Sequence, residues 1–396
     1  MKNKIALFVL FICVSSYACS KINPTKPAST NSLGLQVSTA GILIHNGNPY
    51  RGVGVNYFNA FYRNLQNASD TTFKAGFRYL KSQHIPFVRF MACGFWPIDW
   101  KLYLTNKNEY FDRLDQVVHS AETIGIGLIP SLFWNYSTVP DIVGESVNQW
   151  GNKKSKTIAF MKKYTEEVVN RYKSSPAIWG WEFGNEFNLQ TDLPGLNNLP
   201  PTSVNLGCPA TRSAADKIST NDMIVAFTEF ASTIRKYDVS RIIFSGTSIP
   251  RGSAYHLDFN RTWDKDRVSQ YAQMLNIQNP LNSITIHLYP GEEQDHFADK
   301  TSTLDDIIQI SMNVSKNMKK PLFIGEFGAS KELGETEQQV VFYDLLHAIE
   351  VYKVPLASLW VFDYSPQDST CNVTSNNSNQ YMINAIRLFN DRMNAK

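Results

Sequence analysis

The sequence predicts an α/β fold of the (β/α)8 class, and three observations carry that prediction. Eight short apolar runs alternate with eight stretches of helical periodicity along the 396 residues. The runs are apolar on both faces, as parallel strands covered by helices must be. The rival open, doubly wound sheet would place a G-x-G-x-x-G turn after its first strand, and none follows here.

Taken in order, GILIHNGNPY (Gly41 to Tyr50) reads as a hairpin turning at Asn46-Gly47-Asn48-Pro49. The first barrel strand, RGVGVNYF from Arg51, ends in Asn56 and aromatics. Phe73, Phe77 and Leu80 recur at gaps of four and three, which puts one apolar helix face between Asp70 and Gln83. Strand two is IPFVRFMACGFW, Ile85 to Trp96. Phe111, Leu114, Val118 and Ala121 mark the next helix before strand three, GIGLIPSLFWN. Ile158, Met161, Thr165 and Val168 precede strand four, IWGWEFG, and Phe227, Phe230, Ile234 and Tyr237 precede strand five, RIIFSGTS. A shorter helix around Val268 to Leu275 leads into SITIHLYPG. Ile307, Ile310, Val314 and Met318 lead into PLFIGEFGAS, and Val341, Leu345, Ala348 and Tyr352 into PLASLWVFDYS. A helix near Gln380 to Arg392 closes the chain. The polar stretches Leu189 to Asn221 and Ser365 to Asn379 follow strands four and eight, so the barrel's extra length falls at its C-terminal face.

Composition narrows the class of function. Hydrophobic content of 43% against 18% charged is globular, enough for one large core. A net charge of +3, with no Lys/Arg block longer than a pair in the mature region, is too mild for a nucleic-acid footprint. Lys2 and Lys4, the apolar run Ile5 to Val14 and Ser15-Ser16-Tyr17-Ala18 read as an export signal over residues 1–18. Residues 19–40 then read as a flexible tether and 41–396 as the barrel domain. Ala18-Cys19 admits two fates: ordinary cleavage and secretion, or a bacterial lipoprotein held at the cell surface through lipidated Cys19. Membrane attachment is expected through that cysteine alone, and the protein is expected to be a monomer. Cys208 and Cys371 lie in Asn/Pro/Ser-rich loops and are the pair expected if one disulfide forms. No Cys-x-x-Cys or His-x-x-x-His spacing supports a zinc site, and no metal or other cofactor is expected.

A barrel of this kind builds its site at the C-terminal ends of its strands. Strand four runs out into Asn185-Glu186, and strand seven carries Glu326 between two glycines, in GEFG. These strands lie on opposite sides of a closed ring, so the two carboxylates can converge over its mouth. Glu182 sits deeper in strand four and reads as a paired structural acid. A facing pair of acids about 5 to 5.5 Å apart is what double displacement at an anomeric carbon needs, one as nucleophile and one as proton donor. Their mutual repulsion keeps one protonated until it is used. Asn185 is placed to hydrogen-bond a sugar 2-hydroxyl, and Arg89 to hold the nucleophile ionised. Trp96, Trp134, Tyr289 and Trp360 lie near strand ends, where their rings suit the C–H faces of pyranoses. Trp179 and Trp181, mid-strand, read as packing, and HLYPGEEQDH (His287 to His296) as loop rather than metal site.

From about Gly41 onward these residues resemble glycoside hydrolase family 5, the cellulase and mannanase group of clan A retaining glycosidases. The resemblance implies a TIM barrel with Glu186 in GNEF as acid/base and Glu326 in IGEFG as nucleophile. It also matches Arg89 in FVRF, His287 and Tyr289 in IHLYP, and Trp360 in SLWVF to the family's substrate and site positions. Family members often carry His at the end of strand three. Here that place reads LFWNYS, with Trp134 and Asn135, which looks more like the mannanase branch. The implied activity is endo-cleavage of β-1,4-linked polysaccharide or oligosaccharide, mannan ahead of cellulose. The alternatives are a non-catalytic glycan-binding barrel and an exo-acting or transglycosylating member of the clan.

Overall fold

The computed structural model describes residues 33–291 and 296–394. The export signal and Cys19 therefore lie outside the described residues, as do Glu292 to Asp295 of the HLYPGEEQDH loop. Of the stretch 19–40 expected as a tether only residues 33–40 are described, and these carry a strand. Leu35–Val37 forms strand β1, pairing antiparallel with β2 (Leu43–His45), which continues into β3 (Asn48–Pro49). Three residues are too few to leave a periodic signal, yet Leu35 is fully buried and its amide donates to Trp179 O at 2.7 Å.

The eight expected barrel strands all form. They are β4 (Gly52–Asn56), β5 (Phe87–Met91), β6 (Gly127–Phe133), β7 (Gly180–Gly184), β8 (Ile242–Phe244), β9 (Ile284–Leu288), β10 (Leu322–Phe327) and β11 (Leu356–Leu359). Their parallel order is β8-β7-β6-β5-β4-β11-β10-β9, a near-closed ring. The seam between β8 and β9 is bridged by side chains: Ser283 Oγ donates to Ile243 O at 2.7 Å, and Asn282 Oδ1 accepts from Ile243 N at 2.8 Å. Outside lie the eight expected helices: Phe73–Ser82, Lys107–Ile124, Lys156–Tyr172, Thr220–Arg235, Val268–Leu275, Leu304–Met318, Glu335–Val351 and Gln380–Asn394. Several begin with a serine or threonine cap, such as Ser219 and Thr303, each with an acid three residues on returning the bond.

The barrel's interior changes character along its axis. At the N-terminal end Phe87, Ile129, Phe244, Phe323 and Leu356 pack with Leu35 and Leu43, so the short N-terminal sheet closes the bottom with apolar surface. At the C-terminal end the buried groups are Asn56, Arg89, Glu182, His287 and Glu326. Charges this deep persist only when each finds a partner, so this end must be a connected network.

Candidate active site

Arg89, near the middle of β5, organises the mouth of the barrel. Its Nε donates to both oxygens of Glu182 at 2.8 and 2.9 Å. Nη1 donates to Asn56 Oδ1 at 2.9 Å and to Glu326 Oε1 at 2.8 Å, while Nη2 donates to Asn185 Oδ1 at 2.8 Å. Burial opposes its charge, but Glu182 and Glu326 hold the guanidinium protonated above its ordinary value. Glu326 is held from its other oxygen too, where the Tyr289 hydroxyl donates to Oε2 at 2.6 Å.

Opposite Glu326, Glu186 lies just beyond β7, in the left-handed region at φ 52°. A side-chain-bearing residue enters that region at a cost of roughly 1 kcal/mol or more, which the surroundings must offset. Gly246 supplies part of the restraint, its carbonyl accepting from Glu186 N at 2.8 Å. His287 Nδ1 lies 2.9 Å from Glu186 Oε1 and 3.6 Å from Glu326 Oε1. One oxygen of each carboxylate and a ring nitrogen of His287 all lie within 4.8 Å of one another. Burial pushes the Glu186 carboxyl above its usual range, against the pull of Arg89 and a hydrogen bond from Ser248. Burial also holds His287 neutral, pushing it down to about 3. The Glu186 side chain keeps 29% of its surface open and Glu326 only 6%. The half-open member is thus the one biased to carry a proton, and the covered member is the one facing a cation.

Glu186, His287 and Glu326 are also donors that a metal ion would accept. Arg89 already places a fixed positive charge against Glu326, so a cation there would face like-charge repulsion at close range.

The structure brings most of the sequence-derived residues to this mouth but changes the part some can play. Arg89 and His287 are completely buried, so they hold the two glutamates and present no surface of their own to a ligand. Trp134 is only 5% exposed and one face is covered by the Arg89 guanidinium, 4.6 Å from the ring centroid. It lies against Trp360, with centroids 6.2 Å apart and planes 27° apart, and so backs that ring rather than offering its own. Trp360 is half-buried and anchored by Nε1 donating to Gln367 Oε1 at 2.8 Å. Tyr289, Asn185 and Trp96 are also half-buried, Trp96 against Phe95. Asn135 turns its side-chain oxygen back onto Ser137, accepting from N and Oγ at 3.1 and 3.2 Å. The disulfide expected between Cys208 and Cys371 does not form and both thiols are free. Cys208 is hydrogen-bonded to Asp141, in the segment after β6, and Cys371 to Thr370 and to Ser330, which follows β10.

Sequence reasoning passed over Asn56, which joins two strands by accepting from Arg89 and donating to Gly325 O at 2.9 Å. A lone amide ending an apolar strand was the available signal. Phe58 and Tyr364 were missed as well. Phe58 contacts Trp134, Trp360 and Tyr364 at 4.9, 5.9 and 5.0 Å between centroids, which extends the aromatic wall beside Trp360.

Comparison with known proteins agrees with the barrel fold. The family model described as Cellulase (glycosyl hydrolase family 5) matches residues 44–365. Mannan endo-1,4-beta-mannosidase A of Podospora anserina is 28% identical over 229 residues, covering 54% of this chain and 50% of that protein. Mannan endo-1,4-beta-mannosidase 4 of Solanum lycopersicum is 25% identical over 255 residues, 56% of this chain and 54% of the relative. The chain thus spans about half the length of the curated relatives it matches. Among solved structures, the endo-1,4-beta-mannanase from Rhizomucor miehei superimposes with a TM-score of 0.65 at 19% identity, over 92% of this chain and all of that one. That likeness establishes the barrel fold.

Proposed function

The chain belongs to glycosyl hydrolase family 5, and from that premise we propose that it is a retaining endo-β-1,4-glycanase whose substrate is mannan ahead of cellulose. The observation that carries the reading is that one oxygen of Glu186 and one oxygen of Glu326 lie within 4.8 Å of each other. Inverting hydrolysis needs roughly 6.5 to 9.5 Å between the acids to admit a water, whereas direct attack by a carboxylate needs about 5 to 5.5 Å. Glu326 attacks the anomeric carbon while Glu186, protonated by virtue of its burial, delivers its proton to the leaving oxygen. Glu186 then takes a proton from the water that releases the glycosyl-enzyme. His287 and Arg89 keep the two carboxyls in place, and the free amide of Asn185 is directed to the sugar 2-hydroxyl. The preference for mannan draws on the names of the curated relatives and on Trp134-Asn135 at the end of β6.

Export is part of the same proposal, because polysaccharide is met outside the cytoplasm and residues 1–18 have the composition of an export signal. Reducing-sugar release from mannan, glucomannan and carboxymethylcellulose tests the activity. Binding to any of them without release would replace this reading with a glycan-binding barrel. Product lengths over time separate internal cleavage from trimming at chain ends.

A further inference from the structure

Among the described residues, Glu182 is the buried carboxylate at the mouth whose hydrogen-bond partners are Arg89 and Ser131 alone, with neither catalytic candidate among them. It is fully buried, and both of its oxygens accept from the same Arg89 Nε that lies on the guanidinium holding Glu326. The register of β6 and β7 sets Ser131 opposite Glu182, and Ser131 supplies a further hydrogen bond to it. Arg89 therefore stands between two acids, one sealed in the barrel and one at the reaction centre. Its distances to them are equal at 2.8 Å.

We propose that Glu182 is a positioning residue that divides the charge of Arg89, so that Glu326 is held in place without being neutralised as a nucleophile. This rests on the reading of Glu326 as the attacking carboxylate. A carboxylate bound to an undivided, desolvated guanidinium is a weaker base and a poorer nucleophile, because the opposite charge stabilises the anion that must be spent in the attack. Placing a second carboxylate against Nε disperses that stabilisation while the fork geometry of Arg89 still fixes the oxygen it touches. The repulsion between the two carboxylates acts in the same direction. Nothing in this arrangement needs Glu182 to touch a sugar.

Glu182→Gln removes the charge and keeps an acceptor for Nε, whereas Glu182→Asp keeps the charge and shifts its place. In Glu182→Gln the acidic limb of the kcat/KM profile on mannan should move to lower pH by about one unit. The plateau should fall roughly tenfold with little change in KM. In Glu182→Asp the limb should stay where it is in the unmodified protein while kcat falls. The carboxyl signal of Glu326, read by carbon NMR in glutamate-labelled protein and assigned with Glu326→Gln, should titrate at lower pH in Glu182→Gln and not in Glu182→Asp. That measurement needs no turnover, so it distinguishes a failure of this inference from a failure of the proposed activity. A limb and a carboxyl titration that stay put in Glu182→Gln would overturn the inference, as would an equal movement in both variants. If Glu182→Gln does not fold, a displaced titration in Glu182→Asp overturns it alone.

Discussion

Tyr289 donates its hydroxyl to Glu326 Oε2 at 2.6 Å, on the oxygen that Arg89 does not touch. Each oxygen of Glu326, the proposed nucleophile, is thus held by its own donor, and the carboxylate plane is fixed from both sides. Tyr289→Phe removes one of these bonds without changing the ring. The expected result is a loss in kcat of about 10- to 100-fold with KM nearly unchanged, since the lost contact orients the attack. A variant that keeps full kcat would show that Arg89 alone suffices to aim Glu326.

The roles assigned to the two glutamates differ in a way that leaving groups expose. Glu326→Gln should lose several orders of magnitude in kcat on every substrate, because no bond to the anomeric carbon can form. Glu186→Gln should lose as much on mannan but much less on an aryl glycoside whose phenol departs without a proton. Azide should rescue Glu326→Ala with inversion and Glu186→Ala with retention. Thermal unfolding of all four variants, expected to match the parent, confirms that the losses are chemical. Equal losses on both substrates in Glu186→Gln would remove it from the acid/base role.

How far the molecule could be read before its structure follows from what each signal measures. The strands and helices were legible because burial on one or both faces leaves a period in the sequence, and all eight of each form near their expected places. Glu186 and Glu326 were legible because each ends or interrupts an apolar run at the face where barrels build sites. Exposure was not legible. Arg89 within β5, His287 within β9 and Trp134 just past β6 are buried, Trp134 under the Arg89 guanidinium, whereas Tyr289 and Trp360, just past β9 and β11, stay half-buried. Strand β1 is too short for periodicity, and the state of Cys208 and Cys371 depends on where two long loops come to rest.

Gly246 is hydrogen-bonded to Glu186 and has two reasons to be glycine. Its φ is +71°, and a Cβ there would meet Gly184 O at 1.9 Å and the Glu182 carboxyl carbon at 3.0 Å. The clash is with backbone, so no side chain can swing away. Gly246→Ala should destabilise the fold by about 3 kcal/mol or more, the sum of strained backbone and overpacking. Because Gly246 O also accepts from Glu186 N, kcat should fall further than stability predicts at a temperature where the variant remains folded. Urea unfolding together with kcat at that temperature checks both; an alanine tolerated in both measurements would mean that the loop after β8 can move aside.

Stability against acid should carry the mark of His287. Its folded value of about 3, set by burial, lies below the ordinary 6.5 it regains on unfolding. Between those values the unfolded chain binds a proton that the folded chain refuses. Stability is therefore full above about pH 6.5, falls as the pH drops towards 3 and levels off below. The gap corresponds to an upper bound of about 5 kcal/mol, of which about 3 is lost by pH 4. His287→Gln keeps a hydrogen-bonding group beside Glu186 and cannot take up that proton. Its cost relative to the parent should thus shrink by about 3 kcal/mol between pH 7.5 and pH 4, measured by urea unfolding at each. Parallel stability curves for the two proteins would mean that His287 takes up its proton in the folded barrel, and that Glu186 then faces an imidazolium rather than a neutral ring.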